Sequence, residues 1–246
     1  METFHNVFQC GAREMLDGNP VVDMRGKWHA AYFHNDNPIV LELGCGRGEY
    51  TVGLAAHNPN KNYIGVDIKG ARMWAGAKQA ELAGMQNVAF LRTNIEMLTH
   101  FFAPNEVAEI WITFPDPQMK KVTKRLTSTY FMQRYAQLLR PDGLIHLKTD
   151  SPFLYTYTNE LIKINQLSTF IQTEDLYSGE IEDQILSIKT FYEKQWLSRG
   201  KKIKYIRFAL NTDCDLQEPD VEIEKDDYHS ETRYMNTDGR LLSTSK

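Results

Sequence analysis

The sequence predicts an α/β fold: a doubly wound, mostly parallel sheet of seven strands with helices on both faces. Two observations predict it. Through the middle of the chain, short apolar runs of strand length alternate with stretches of helical periodicity, the mark of strands joined by crossover helices. The first of these runs passes directly into a glycine-rich loop that opens a helix. With 246 residues, 42% of them apolar, the chain is long enough for one large domain with a substantial core.

Each element has a local reason. Residues 39–43 (Ile-Val-Leu-Glu-Leu) form a near-continuous apolar run ending in glycines, a buried strand. Residues 49–57 follow as a helix, closed by Asn58-Pro59-Asn60. Residues 62–67 make the second strand and residues 69–83 a helix with Gly84 at its end. The third strand is 87–92, and the fourth, 109–114, is stopped by Pro115-Asp116-Pro117. A helix over 127–139 ends at a turn, Arg140-Pro141-Asp142-Gly143, before a fifth strand at 144–148. A helix at 152–168, a strand at 170–176, a helix near 188–198 and a strand at 203–210 complete the pattern. Residues before Asn37 show no clear period, and those after Asn211 are acidic without a core pattern. The expected organisation is an N-terminal extension (1–37), one domain (38–210) and an acidic C-terminal extension (211–246).

Composition narrows the function classes. No apolar run approaches the ~20 residues that span a bilayer, and Met1-Glu2-Thr3-Phe4-His5 lacks the start of a secretory signal. Three separated cysteines (Cys10, Cys45, Cys214) without a CxxC predict neither a disulfide framework nor a zinc cluster. The expected setting is cytoplasmic, with no membrane partner. A formal net charge of −4 conceals an asymmetry. Lys120, Lys121, Lys124, Arg125, Arg134, Arg140 and Lys148 face only Asp142 in their stretch. Lys189, Lys194, Arg199, Lys201, Lys202, Lys204 and Arg207 face only Glu193. Asp213, Asp215, Glu218, Asp220, Glu222, Glu224, Asp226 and Asp227 then follow in quick succession. Such local fields admit a polyanionic partner whatever the net charge, although lysine runs also serve simply as solvated surface.

The glycine loop Gly44-Cys45-Gly46-Arg47-Gly48-Glu49 is not a dinucleotide fingerprint. Its third glycine comes one residue early, and a carboxylate, Glu49, stands where the third glycine of that motif belongs. Glu42 adds a second acid just before the loop, and Asp67 ends the second strand where such folds hold ribose hydroxyls. Negative charge on both sides of the loop suits a nucleoside that carries a cationic group and no phosphate chain.

The first and fourth strands of a doubly wound sheet lie where strand order reverses, and ligands bind outside their carboxyl ends. The glycine loop and Asp116 therefore converge on one crevice, with two prolines stiffening the backbone around Asp116.

The run Leu41-Glu42-Leu43-Gly44-Cys45-Gly46-Arg47-Gly48 with Asp67 resembles the S-adenosylmethionine-dependent methyltransferases of the Rossmann-like class. That resemblance implies a loop that cradles the methionine part of the cofactor, Asp67 on the ribose and Asn94 towards the adenine. Phe114-Pro115-Asp116-Pro117-Gln118-Met119-Lys120-Lys121 resembles, more narrowly, the tRNA (guanine-N7)-methyltransferases. Lys148-Thr149-Asp150 and Thr190-Phe191-Tyr192-Glu193 are similar to two further motifs of that family. The resemblance covers roughly residues 39–210. It implies Glu42, Gly44, Gly46, Asp67, Asn94 and Asp116 on the cofactor side, and Lys120, Asp150, Thr190 and Glu193 on the tRNA side. Asp116 is the implied catalytic residue, S-adenosylhomocysteine the product, and no metal is implied. Other roles fit some of these residues: Asp150 as a helix N-cap before Pro152, Thr190 and Glu193 as a capping box, Lys120 as a solvated lysine.

Two features depart from the family pattern. Gln118 stands where the family commonly has Trp, and the N-terminal segment, marked by Gly26-Lys27-Trp28, lacks an arginine-rich lead-in. The expected reaction is methylation of N7 of a guanine in the tRNA variable loop by a monomer or homodimer. The alternatives are a methyltransferase of the same fold acting on another RNA base, a protein or a small molecule, a non-catalytic binding module, and a nicotinamide-linked oxidoreductase.

Overall fold

The computed structural model describes residues 4–9, 22–179, 181, 183–210 and 215–226. Its centre is an eight-stranded sheet: β1 (Val7–Gln9), β2 (Ile39–Leu43), β3 (Asn62–Asp67), β4 (Val88–Arg92), β5 (Val107–Thr113), β6 (Leu139–Thr149), β7 (Thr169–Thr173) and β8 (Lys204–Ala209). The helices are α1 (Glu49–His57), α2 (Gly70–Leu82), α3 (Thr129–Ala136), α4 (Pro152–Ile164) and α5 (Phe191–Ser198), with a π-helical segment at Trp28–Phe33.

The strand order is β1-β4-β3-β2-β5-β6-β8-β7. All neighbours are parallel except the β6–β8 and β7–β8 pairs. The chain runs outward from β2 through β3 to β4, then returns to β5 on the other side of β2, so strand order reverses between β2 and β5. This is the switch point the sequence predicts, and it puts the loops after β2 and β5 side by side.

Sheet alternation divides the core. Leu41, Leu43, Ile64, Val66, Ile110 and Ile112 face a cluster shared with Trp28, Phe131 and Leu154. Val40, Tyr63 and Trp111 face the opposite cluster with Tyr50, Met73 and Tyr205. Glu42 has the parity of Val40, and its register neighbours are Gly65 on β3 and Trp111 on β5. Glycine at 65 leaves the space: a Cβ there would lie 2.7 Å from Thr51 Oγ1 and 2.9 Å from the Phe90 ring.

The expectation of seven strands is corrected to eight among the described residues. The added strand is β1, which extends the sheet edge by pairing parallel to β4, Val7 opposite Phe90. Three residues are too few to show a period in sequence; their pairing partner defines them. The turn expected at residues 140–143 is also absorbed into β6. Leu139 pairs with Val107 and Leu144 with Glu109, so the extra residues bulge out of a ladder that then resumes.

The flanking segments join the same core. Trp28 is fully buried, donates Nε1–H to Phe101 O at 2.9 Å and stacks on Phe102 at 5.5 Å. Leu216, within the acidic stretch, packs into the cluster on that same face. Cys10 and Cys214 lie outside the described residues. Among the described residues no helix is long and apolar enough to cross a membrane.

The glycine loop is locked by a close approach. A Cβ at Gly76 on α2 would lie 2.7 Å from Arg47 O and 2.9 Å from Phe90 Cζ. Glycine-to-alanine inside a helix ordinarily stabilises by about 1 kcal/mol, but overpacking a filled contact costs about 1–3 kcal/mol. Gly76→Ala is therefore expected to lower the melting temperature by a few degrees, roughly 2–4 °C per kcal/mol at this size. A calorimetric scan showing a rise would mean that helix propensity outweighs the contact.

Candidate active site

Outside the carboxyl ends of β2 and β5 lies a cleft of about 290 Å³. Glu42, Gly44, Gly46 and Asp67 line one part of it, and Thr113, Phe114, Asp116, Thr190, Tyr192 and Trp196 the other. Residues drawn from the loop after β2, the end of β3, the corner after β5 and the start of α5 thus share one space.

The glycine loop owes its shape to left-handed backbone at Gly44, Gly46 and Gly48, with φ of 74°, 54° and 73°. Gly44 and Cys45 donate their N–H groups to Val66 O, at 2.8 and 3.1 Å, which ties the loop to β3. A Cβ on Gly44 would meet nothing within 4 Å, so this face of the loop stands open to a ligand. Asp67 accepts Gly46 N–H at 2.9 Å on one oxygen and Lys69 N–H at 2.8 Å on the other. Both oxygens keep further acceptor capacity, as two ribose hydroxyls require.

Glu42 is buried, accepting from Thr113 Oγ1 at 2.7 Å and from Thr51 Oγ1. Burial raises its pKa to about 7; the two threonine bonds pull it down and the charge of Asp67 pushes it up. A cationic ligand group beside it would offset that desolvation. Cys45 also lines the cleft, yet burial pushes its thiol well up, so it is no ready nucleophile. Among the described residues no group of three His, Cys, Asp or Glu is placed to hold a metal.

The corner after β5 is unusual in its backbone. Phe114 and Gln118 both have φ of 48°, a conformation L side chains adopt at a cost of order 1–3 kcal/mol. Phe114 N–H donates to Lys148 O at 2.8 Å, and Gln118 N–H to Asp116 Oδ1 at 2.9 Å. Arg125 closes the corner from below, with Nε to Pro117 O at 3.1 Å and Nη2 to Gln118 O at 3.2 Å. Asp116 stands exposed at its apex.

The start of α5 forms the facing wall. Thr190 and Glu193 make a capping box, with Thr190 Oγ1 accepting Glu193 N–H at 3.2 Å and Glu193 Oε2 accepting Thr190 N–H at 3.3 Å. Glu193 does more than cap. It is fully buried and paired at 2.8 Å with Lys148, which is equally buried. Lys148 also donates to Leu186 O at 3.2 Å and Ile188 O at 3.0 Å. Burial holds the Lys148 ammonium below its usual range, with Glu193 opposing the shift. Glu49 anchors the same helix from the glycine loop by accepting Phe191 N–H at 2.9 Å.

Of the residues singled out in sequence, Glu42, Gly44, Gly46, Asp67, Asp116 and Thr190 line the cleft. Glu193 does not line it; it lies beneath Thr190. Asp150 is buried at the end of β6 with Lys201 Nζ at 3.2 Å. It is not the N-cap of α4: Ser151 is, with Oγ accepting Leu154 N–H at 3.0 Å. Asn94 is exposed at the start of the turn after β4, and Lys120 is exposed beyond the Asp116 corner; neither lines the cleft.

Several contributors escape a sequence reading. Thr51 and Thr113 hold Glu42 only because α1 and β5 meet there, which no spacing signals. Trp196 was findable, since it falls four residues after Tyr192 on one helix face.

A protein-family model described as "Putative methyltransferase" matches residues 36–206. The chain is 63% identical over 246 residues to the tRNA (guanine-N(7)-)-methyltransferase of Bacteroides thetaiotaomicron, covering 100% of this chain and 96% of that one. It is 60% identical over 235 residues to the enzyme of the same name from Porphyromonas gingivalis, covering 95% and 96%. Among solved structures, the 16S rRNA methyltransferase KamB superimposes with a TM-score of 0.58 over 76% of this chain and 92% of its own, at 14% identity, a likeness of fold alone. The full-length identity, carried by a chain whose glycine loop, Asp67 and Asp116 meet in one cleft, leads to one conclusion: this protein belongs to the tRNA (guanine-N(7)-)-methyltransferase family.

Proposed function

We propose that the chain transfers the methyl group of S-adenosylmethionine to N7 of a guanine in the variable loop of tRNA. One observation carries the reading: the glycine loop with Glu42 and Asp67, and the proline-braced Asp116, share a single cleft at the switch point, with Arg47, Lys69 and Arg72 also on its wall. The residues present fit the cofactor. Gly44 and Gly46 leave open backbone for its methionine part, Glu42 faces its ammonium and Asp67 takes the ribose hydroxyls; Asn94 stands outside the cleft, where only the far end of the adenine would reach it. When bound, the cofactor supplies a methyl group activated by its sulfonium.

Guanine N7 carries a free lone pair, so no general base is needed to make the nucleophile. The work of the protein is alignment and charge. Holding N7 in line with the methyl group removes the entropy of encounter. Asp116 places a carboxylate where the purine becomes positive, which stabilises the charge as it develops. Thr190, set in the cleft wall by the Glu193–Lys148 pair beneath it, contacts the tRNA; Glu193 contributes by fixing that wall. Asp150, buried and paired with Lys201, acts on the tRNA side only indirectly, through the end of β6, and Lys120 meets phosphate. A tRNA substrate places this work in the cytoplasm.

The test is transfer of labelled methyl to an unmodified tRNA transcript, mapped by the chain cleavage that 7-methylguanine permits. The wild type should mark one variable-loop guanine, and Asp116→Ala should lose at least about a hundredfold in kcat, the scale set by one preorganised charge. Label at another base would discard the substrate and keep the methyl donor.

Glu42 gives a pH signature. Its folded pKa, about 7, lies above the ordinary 4.5, so protonated Glu42 favours the folded, ligand-free chain. That contribution is complete below the ordinary value and is lost as pH rises through about 7. A ligand ammonium reverses the preference. Calorimetry should show S-adenosylhomocysteine binding tighten from about pH 6 to about pH 8, by at most about tenfold per unit for one coupled proton. Glu42→Gln should flatten that profile; a slope unchanged in the variant would clear Glu42 of the role.

Neutralising Lys120 and Lys121 should weaken tRNA binding and lower its salt slope by roughly one per lost phosphate contact. Cofactor affinity should hold. Filter binding over a salt series checks this, and unaltered tRNA affinity would remove these lysines from the interface.

A further inference from the structure

We propose that Arg125 is a positioning residue for the Asp116 corner, and that the acidic C-terminal strap (residues 215–226) holds Arg125 in place by fixing the start of α4 and the Tyr157 ring against which it packs. The inference rests on Asp116 being the carboxylate at the reacting centre.

Arg125 is 2% exposed, and among the described residues it has no carboxylate ion-pair partner. A buried cation without a counter-charge is costly, and an apolar residue of similar volume would serve stability as well or better. What Arg125 does instead is geometric. Its fork binds two successive carbonyls, Pro117 O and Gln118 O. Gln118 is thereby held twice, its C=O by Arg125 and its N–H by the carboxylate of Asp116. With Gln118 and Phe114 both in left-handed backbone, the corner needs an external restraint to keep that shape. The direction of the Asp116 carboxylate is coupled to Arg125 through one residue.

The guanidinium packs over two rings of α4, 3.9 Å from the centroid of Tyr157 and 4.8 Å from that of Phe153. One strap carboxylate holds the Tyr157 ring by its hydroxyl, and a second holds the backbone at Phe153. Glu218 accepts the Tyr157 hydroxyl on one oxygen, and Thr129 N–H (2.9 Å) and Oγ1 (2.7 Å) on the other. Asp226 accepts Phe153 N–H at 2.8 Å and the Ser151 hydroxyl. Just before Glu218, Leu216 is buried in the core and Gln217 exchanges hydrogen bonds with Asn165 at 2.7 and 2.8 Å. The strap thus carries a restraint to the reacting corner: Glu218 to the Tyr157 ring and Asp226 to the first turn of α4 at Phe153, the two rings to Arg125, Arg125 to Gln118, Gln118 to Asp116.

The experiment compares full-length wild type, Arg125→Lys, Glu218→Gln, Tyr157→Phe and the Arg125→Lys/Glu218→Gln double variant, assayed well below each melting temperature. Lysine keeps the charge but cannot bridge two carbonyls with a planar fork. Arg125→Lys should lose about a hundredfold in kcat, the cost of about 1 Å of misplacement, with KM for the cofactor held within about twofold. Glu218→Gln and Tyr157→Phe should each lose several-fold, and the double variant should be no slower than Arg125→Lys, because residues that act through one another are not additive. Hydrogen exchange gives a readout independent of turnover: the peptide carrying Gln118 should exchange faster in Arg125→Lys and Glu218→Gln, while β3 stays protected. Full kcat in Arg125→Lys, multiplicative losses in the double variant, or unchanged exchange at the corner would each overturn the proposal. A wild type inactive on tRNA would instead count against the methyl-transfer reading, and corner exchange would still decide whether Arg125 and the strap hold Asp116.

Discussion

The parallel pairing of β2 with β5, from Ile39 beside Val107 to Leu43 beside Ile112, is the constraint on which the rest of the structure depends. Because strand order reverses there, the loops that leave these strands diverge to opposite sides and leave a crevice between them. The glycine loop fills one lip of it and the Phe114–Gln118 corner the other. Any other placement of β5 would separate Asp116 from the glycine loop and Asp67, whatever the local shape of either loop.

The molecule places charge inside at three points close to this crevice, and in each case the gain is geometry rather than stability. Glu42 is desolvated between two threonines at the edge of the cleft. Lys148 and Glu193 form a pair with no exposure at all, an arrangement that on average contributes little to stability over an apolar substitute. What that pair does is join β6 to the start of α5, so that the cleft wall sits at a defined distance from the sheet. Arg125 does the same for the corner after β5. Charged donors with directional partners define an angle as well as a contact, which packing of apolar side chains does less sharply.

The charge asymmetry along the chain takes on a meaning in three dimensions. Part of the first basic run is internal, Lys148 and Arg125 being buried, while Lys124 is paired with Glu96 at 2.9 Å and, in the second run, Lys201 and Lys202 with Asp150 and Asp175. The acidic stretch, which as sequence shows no core pattern, contributes Glu218 and Asp226 to the N-terminal turns of α3 and α4. Carboxylates there satisfy free N–H groups and complement the helix dipole. Counting charges along the chain therefore overstates how many remain to meet a polyanion.

By itself the sequence determined the alternating α/β order, the glycine loop with its displaced third glycine, and the acids Glu42, Asp67 and Asp116, because strand and turn chemistry are local and these signals lie within a few residues of one another. It also marked Thr190 and Glu193 as a capping box, since that device spans four residues. Tertiary structure decided the rest. β1 is a strand only because β4 offers it an edge, and residues 140–143 are a bulge rather than a turn only because β5 continues beside them. Glu193 lies beneath the cleft, not in it, because Lys148 from a distant strand reaches it. The strap has a role because Tyr157 and Phe153 present partners more than sixty residues away along the chain. Burial and pairing across such separations depend on which elements pack together, and that is a property of the whole sheet, not of any window of sequence.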